Sequence, residues 1–245
     1  MEQNNKVEVI NPFGPSIARV KMPNDLIESL NNYVDEIISN EEKIEKLNHG
    51  NNLAGSVTQE FKLEEKFIIS SGYQKFLSES VFDWLKVSGY KDVNNFSLIS
   101  SWIVRQFENE YNPIHIHTEC SLSTVMYLKV PEFLPSTKPE RDDDGCIMFI
   151  GAGHQNARLT RNIVKHKPKV GDFFIFPAHL QHCVYPFKTD GDYERRSVSF
   201  NADFMNKAEW EKQQQMMQQQ QWQQQQMMQE EQLMQQQQGM ITNNS

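Results

Sequence analysis

The densest run of metal-ligating side chains in the sequence is Asn112-Pro-Ile-His-Ile-His-Thr-Glu-Cys120, in which His115, His117 and Glu119 are each separated by one residue. In an extended chain, residues two apart share a face. This segment can therefore offer one ion two neighbouring ligands from a single strand end, either His117 with Glu119 or His115 with His117. A further ligand must come from a distant strand, and Phe176-Pro-Ala-His-Leu-Gln-His-Cys-Val-Tyr-Pro186 provides His179 and His182. Two imidazoles and a carboxylate on one face of an iron ion leave positions open for a chelating molecule and dioxygen, which a closed four-ligand site does not. The expected ligand set is His117, Glu119 and His182, because a hard iron(II) ion serving oxygen chemistry normally has an anionic ligand. His115 is the alternative ligand; if it pairs with His117, Glu119 falls outside the first coordination sphere.

A second constellation follows in Glu194-Arg-Arg-Ser-Val-Ser-Phe-Asn201. Strand alternation puts Arg195, Ser197, Ser199 and Asn201 on one face and Arg196, Val198, Phe200 and Ala202 on the other. An all-polar inner stripe headed by Arg suits an anion, since the planar guanidinium fork matches a carboxylate and a serine hydroxyl adds a bond. The competing reading is the solvated side of an edge strand, and only the histidines upstream tip the balance. On this register Arg196, facing away, is expected to matter little to the anion. Cys120 and Cys183 each follow a proposed ligand, so alternation turns them away from the metal into packing roles. His179 is expected in the turn after Pro177, facing solvent.

These residues need a rigid frame. Ser16-Ile-Ala-Arg-Val-Lys-Met22 alternates like a strand. Pro23-Asn24-Asp25 then opens a helix with Leu26, Leu30, Val34 and Ile37 at spacings of three and four. A second amphipathic helix runs from Gly72 through Leu85 and stops before Ser88-Gly89. From Phe96 to Phe204 short β-type runs alternate with Gly, Pro, Asn and Asp, the pattern of an antiparallel sandwich or barrel. Beyond Lys207 the sequence turns Gln- and Met-rich, with apolar clusters at Met216-Met217, Trp222, Met227-Met228 and Leu233-Met234 that share no single helical face. The tail is expected to be dispensable and partly helical or disordered, with homo-oligomerisation through it as the alternative.

Composition narrows the partners. The 24 Lys+Arg against 32 Asp+Glu give a formal net charge of −8 with no basic cluster, so nucleic acid and anionic membranes are not expected. No stretch approaches the roughly 20 apolar residues of a membrane helix, and the start lacks the apolar core of a secretory signal. Three cysteines without CxxC spacing fit reduced thiols. The expected location is the cytoplasm, that of the host if the chain is phage-encoded.

The order HxE, then Val125-Met-Tyr-Leu-Lys-Val-Pro131, then Gly171-Asp-Phe-Phe-Ile-Phe-Pro-Ala-His-Leu-Gln-His-Cys-Val-Tyr-Pro-Phe187, then RxS resembles the 2-oxoglutarate/iron(II) dioxygenase superfamily. It is most similar to the prolyl-4-hydroxylase-like group, including oxygenases of that kind from marine phages and bacteria. The resemblance covers roughly residues 96–204. It implies an α+β fold with a double-stranded β-helix (jelly-roll, cupin-like) core and N-terminal supporting helices; the expected division is 1–95 for the N-terminal strand and helices and 96–206 for the core, with the Gln/Met-rich tail over 207–245, read from composition, outside the resemblance. It further implies Fe(II) held by His117, Glu119 and His182, and 2-oxoglutarate as cosubstrate with its far carboxylate on Arg195, Ser197 and Tyr127. Dioxygen is the co-reactant and ascorbate an accessory reductant. The substrate expected by analogy is a peptidyl, prolyl-like residue, or a small molecule. Two departures bear on the ligands: Glu119 stands where Asp is commoner, and many relatives carry an HxH pair like His115 and His117. The rival readings are a non-enzymatic cupin-like binding protein and a cupin metalloenzyme that does not use 2-oxoglutarate; the Arg195–Ser197 pair separates them from the oxygenase.

Overall fold

The computed structural model describes residues 8–10, 14, 16–49, 55–90, 92–138, 140, 142–151 and 162–242. In chain order the elements are β1 (Glu8–Ile10), β2 (Ile17–Lys21), α1 (Asn24–Ile38), α2 (Glu41–Leu47), β3 (Gln59–Lys62), α3 (Glu65–Ser70), α4 (Tyr73–Val87), β4 (Val93–Gln106), β5 (Asn112–His115), β6 (Leu122–Lys129), β7 (Ile147–Ile150), β8 (Ile163–His166), β9 (Asp172–Pro177), β10 (Gln181–Val184), β11 (Arg195–Asn206) and α5 (Lys207–Thr242). Both expected helices are present, with Leu26, Leu30, Val34 and Ile37 buried on α1 and the second helix ending at Val87.

The strands form two antiparallel sheets, a larger one in the order β1-β2-β9-β6-β11-β4-β3 and a smaller one in the order β5-β10-β7-β8. The first 95 residues thus supply three strands of the large sheet as well as its helices. The inner core joins the two sheets: Val125, Tyr127, Phe174 and Phe176 from the large one pack with Ile147 and Phe149 from the small one. This is the double-stranded β-helix arrangement, with both sheets contributing inward-facing side chains.

Strand β9 reads as a continuous apolar run because both of its faces are covered. Phe174 and Phe176 turn inward, while Phe173 lies 5.6 Å from Phe76 of α4 and 6.0 Å from Phe200, centroid to centroid. Helix α4 is also tied to the outer face of the large sheet by polar groups. The buried Tyr73 hydroxyl meets Ser101 Oγ at 3.0 Å, and that serine donates to the carbonyl of Ser199 at 3.0 Å. Rigid strands backed by packed helices are the kind of support that holds a site's side chains in place.

Residues 92–95 and 205–242 form a second compact unit. In it α5 is one continuous helix with Trp210, Met216, Met217, Trp222, Met227 and Met228 all exposed. The side chains of Leu233 and Met234 lie outside the described ones. No helix among the described residues is long and apolar enough to cross a membrane.

Candidate metal centre and anion pocket

Strands β5 and β10 are antiparallel neighbours whose register sets His115 opposite His182. His117 lies just past the end of β5, where its backbone N–H donates to the carbonyl of Ala178 at 2.9 Å. That bond carries the extended run onward, so His115 and His117 share a face. The ligand atoms of His115, His117 and His182 consequently all lie within 4.8 Å of one another, and the Nε2 atoms of His117 and His182 are 3.3 Å apart.

Backbone carbonyls orient two of the three rings. His115 Nδ1 bonds Pro113 O at 2.7 Å, and His182 Nδ1 bonds Leu180 O at 2.9 Å. A carbonyl only accepts, so each Nδ1 carries a proton and Nε2 is the ring atom turned toward a metal, the usual way a protein orients a metal-binding imidazole. Burial, reinforced by the neighbouring His115, pushes His117 down to about 4 and His182 down to about 3, so both are neutral at pH 7. Trp102 packs 6.0 Å from His117, and Phe176 meets His182 edge-on at 4.7 Å. Three converging imidazoles between apolar walls fit a first-row divalent ion such as iron.

Glu119 is not brought into this group. The regular strand stops at His115, and Glu119 itself has φ +60°, a left-handed backbone that breaks the two-residue alternation after His117. Its side chain is exposed. His179 is likewise exposed, in the turn between β9 and β10. Cys183 is buried and Cys120 half-buried, and neither lines the pocket.

The histidines open onto a pocket lined also by Trp102, Gln106, Tyr127, Arg195, Ser197 and Ser199. Arg195 is only 2% exposed. Its Nη1 donates to Gly145 O at 2.5 Å and its Nη2 to Gln106 Oε1, and its guanidinium lies 5.3 Å from the Phe187 ring and 5.9 Å from the Tyr127 ring. Among the described residues no carboxylate reaches it. Ser197 pairs across strands with Tyr127, whose buried hydroxyl has no hydrogen-bond partner. Burial pushes that phenol up to about 12, so it stays protonated and can donate.

Arg196 is different. Fully buried on the opposite face, it donates to Asp35 at 2.7 Å, to Glu194 at 2.5 Å and to Asn31. Alternation places it on the face away from the pocket, as expected, and there it is the centre of a buried ion network.

Gln106 and Gly145 were not legible as site residues. Gln106 follows Trp102 and Val104 at spacings of two in Trp102-Ile-Val-Arg-Gln106, and all three line the pocket, so alternation along β4 was the available signal. Gly145 has φ +69°, and a Cβ there would collide with the Phe133 ring. No sequence pattern marks a carbonyl that a distant arginine will use.

Residues 100–201 match the family described as "Putative 2OG-Fe(II) oxygenase". Solved structures of the same fold include a prolyl-4-hydroxylase from Pseudomonas putida, 15% identical with a TM-score of 0.52 over 76% of this chain and 91% of that one. Another is AviO1 from Streptomyces viridochromogenes Tue57, 13% identical with a TM-score of 0.51 over 79% of this chain and 90% of that one. No curated protein matches the chain. The family match spans the strands that carry the histidine cluster and the Arg-x-Ser stripe, so residues 100–201 are similar to the 2-oxoglutarate/Fe(II) oxygenases, oxidoreductases that work with Fe(II) and 2-oxoglutarate, and the solved structures share the fold.

Proposed function

We propose that His115, His117 and His182 hold the Fe(II), and that Arg195, Ser197 and Tyr127 hold the far carboxylate of 2-oxoglutarate in the same pocket. The observation that carries this reading is the buried guanidinium of Arg195, which has two neutral acceptors and no carboxylate among the described residues. A buried charge is ordinarily paired, and its neighbour Arg196 has Asp35 and Glu194. The unused N–H groups of Arg195, the orphaned Tyr127 hydroxyl and Ser197 supply donors for one carboxylate. A three-histidine metal site brings no negative charge of its own, so a dication and Arg195 together make the pocket strongly cationic and favour a dianion.

When bound, Fe(II) supplies the reaction of dioxygen with 2-oxoglutarate that yields succinate and CO2 and hydroxylates a substrate carbon. The chain's own share is orientation and exclusion of water. Arg195 fixes the far end of the cosubstrate, His117 and His182 are neutral and keep a lone pair for the metal, and Trp102, Phe176 and Ile147 wall the pocket with apolar surface.

For the substrate we favour a peptidyl residue such as proline, with a small molecule as the second class. The support is the apolar pair Ile114, on β5, and Ile116, just past its end, which are 58% and 47% exposed on the face of this segment opposite the histidines. The structure of shared fold from Pseudomonas putida is a prolyl-4-hydroxylase by name. Prolyl peptides should then raise succinate formation above its rate without substrate; no increase would remove that class.

The ligand assignment has its own test. His115→Ala should lose most Fe(II) binding while Glu119→Ala retains it, measured by metal content after desalting and by titration. Deleting a ligand from a three-ligand site is expected to weaken the metal by more than the roughly 10–100-fold typical of outer-sphere changes. The reverse ranking would make Glu119 the ligand and require the 118–120 bend to rearrange on metal binding.

A further inference from the structure

Strands β4 and β11 are joined on both faces at the point where Arg195 enters the pocket. On the inner face Gln106 accepts from Arg195. One residue back on each chain segment, Arg105 and Glu194 form an ion pair through Arg105 Nε, and both line a separate surface groove. Glu194 is shared further, with Arg196 at 2.5 Å and Lys129 of β6 at 3.6 Å, and Arg196 and Lys129 both reach Asp35 of α1. Arg105 is also held by Gln59 of β3.

We infer that this outer network of Arg105, Glu194 and Arg196 is a positioning clasp that sets Arg195 for the far carboxylate of 2-oxoglutarate, which rests on the reading of Arg195 given above. Three observations support it. First, Arg195 has no ionic tether among the described residues, so its position depends on where the start of β11 lies relative to Gln106 on β4 and to Gly145. Second, the ladder does not fix that position alone. Arg196 pairs with Lys129 but Ser197 pairs with Tyr127, so β6 carries one extra residue, Leu128, opposite the start of β11. A bulge of this kind bends and loosens the local pairing. Third, the clasp is well shielded: the side chains of Arg105, Glu194 and Arg196 are 13%, 12% and 0% exposed. Ion pairs so placed are screened less than surface pairs and hold a defined geometry. Glu194 shows the coupling, since burial alone would raise its carboxyl while Arg105 and Arg196 bring it below the usual range.

The residue to change is Arg105, because its loss leaves Glu194 still paired with Arg196 and Lys129 and so spares the fold. Anaerobic calorimetric titration of Fe(II)-loaded Arg105→Gln with 2-oxoglutarate should show affinity weakened about five- to tenfold, with Fe(II) affinity unchanged within about twofold. Arg105→Lys should recover part of the loss. Gln106→Ala should weaken 2-oxoglutarate similarly, and the double variant should fall short of the product of the two effects, because both act through Arg195. A merely structural role would lower the melting temperature of Arg105→Gln and leave the affinity of the folded protein as in the parent, which would overturn the inference. The Arg195→Ala variant distinguishes the two levels. If it weakens 2-oxoglutarate while Arg105→Gln does not, the clasp fails alone; if Arg195→Ala has no effect, the anchor and the clasp fail together.

Discussion

His182→Ala should take the purified protein from one Fe(II) per chain to none. His182 is the sole member of the cluster supplied by β10, and its Nδ1 bond to Leu180 O fixes the ring so that Nε2 faces His117. Without it, His115 and His117 form a two-ligand site on a strand end, and the affinity should fall by more than about a hundredfold. The residue is 4% exposed and packs against Phe176 and Phe149, so the variant also leaves a small cavity. Circular dichroism separates a metal-free folded protein from an unfolded one. Unchanged metal content in the folded variant would remove His182 from the site and bring His179 forward, even though that residue is exposed in the turn between β9 and β10.

The second large effect is on the cosubstrate. Arg195→Ala should raise the 2-oxoglutarate concentration for half-maximal turnover by roughly ten- to a hundredfold, the equivalent of about 1.5–3 kcal/mol for a charge-assisted bidentate contact. Fe(II) affinity should stay near the parent value, because Arg195 is not one of the converging ligand residues. Arg195→Lys should restore only part of the loss, since an ammonium keeps the charge but not the fork. Arg196→Ala is unsuitable as the silent control that strand alternation alone suggests. It removes the central charge of a buried network and should destabilise the fold by about 3–5 kcal/mol, seen as a lower midpoint in denaturant. An Arg195→Ala variant that saturates with 2-oxoglutarate like the parent would remove the anion assignment.

Much of this architecture was legible because it rests on periodicity. The two-residue alternation in Arg195–Ala202 placed Arg195, Ser197 and Ser199 on the pocket face, where the structure has them. The three-and-four spacing of Leu26, Leu30, Val34 and Ile37 gave α1. The same rule put Glu119 on the face of His117, but alternation holds only while the backbone stays extended. A left-handed residue at 119 ends it, and nothing in His-Thr-Glu-Cys signals that turn as Gly or Asn-Gly would. Arg196 shows another limit. Its face could be read, but its burial depended on α1 docking over it with Asp35, a contact between residues 161 positions apart in the chain. Gln106 and Gly145 belong to the same class, as their roles exist only once β4, β7 and β11 meet.

Succinate formation from 2-oxoglutarate by the Fe(II)-loaded protein in air, with ascorbate and without added substrate, decides whether this pocket performs the oxygenase reaction, since uncoupled turnover reveals the chemistry before the substrate is known. The account predicts succinate and CO2 in equal amounts, dependent on Fe(II), absent in His115→Ala and His182→Ala, and retained in Glu119→Ala. A protein that binds Fe(II) through its histidines yet leaves 2-oxoglutarate unconsumed and unbound would contradict it.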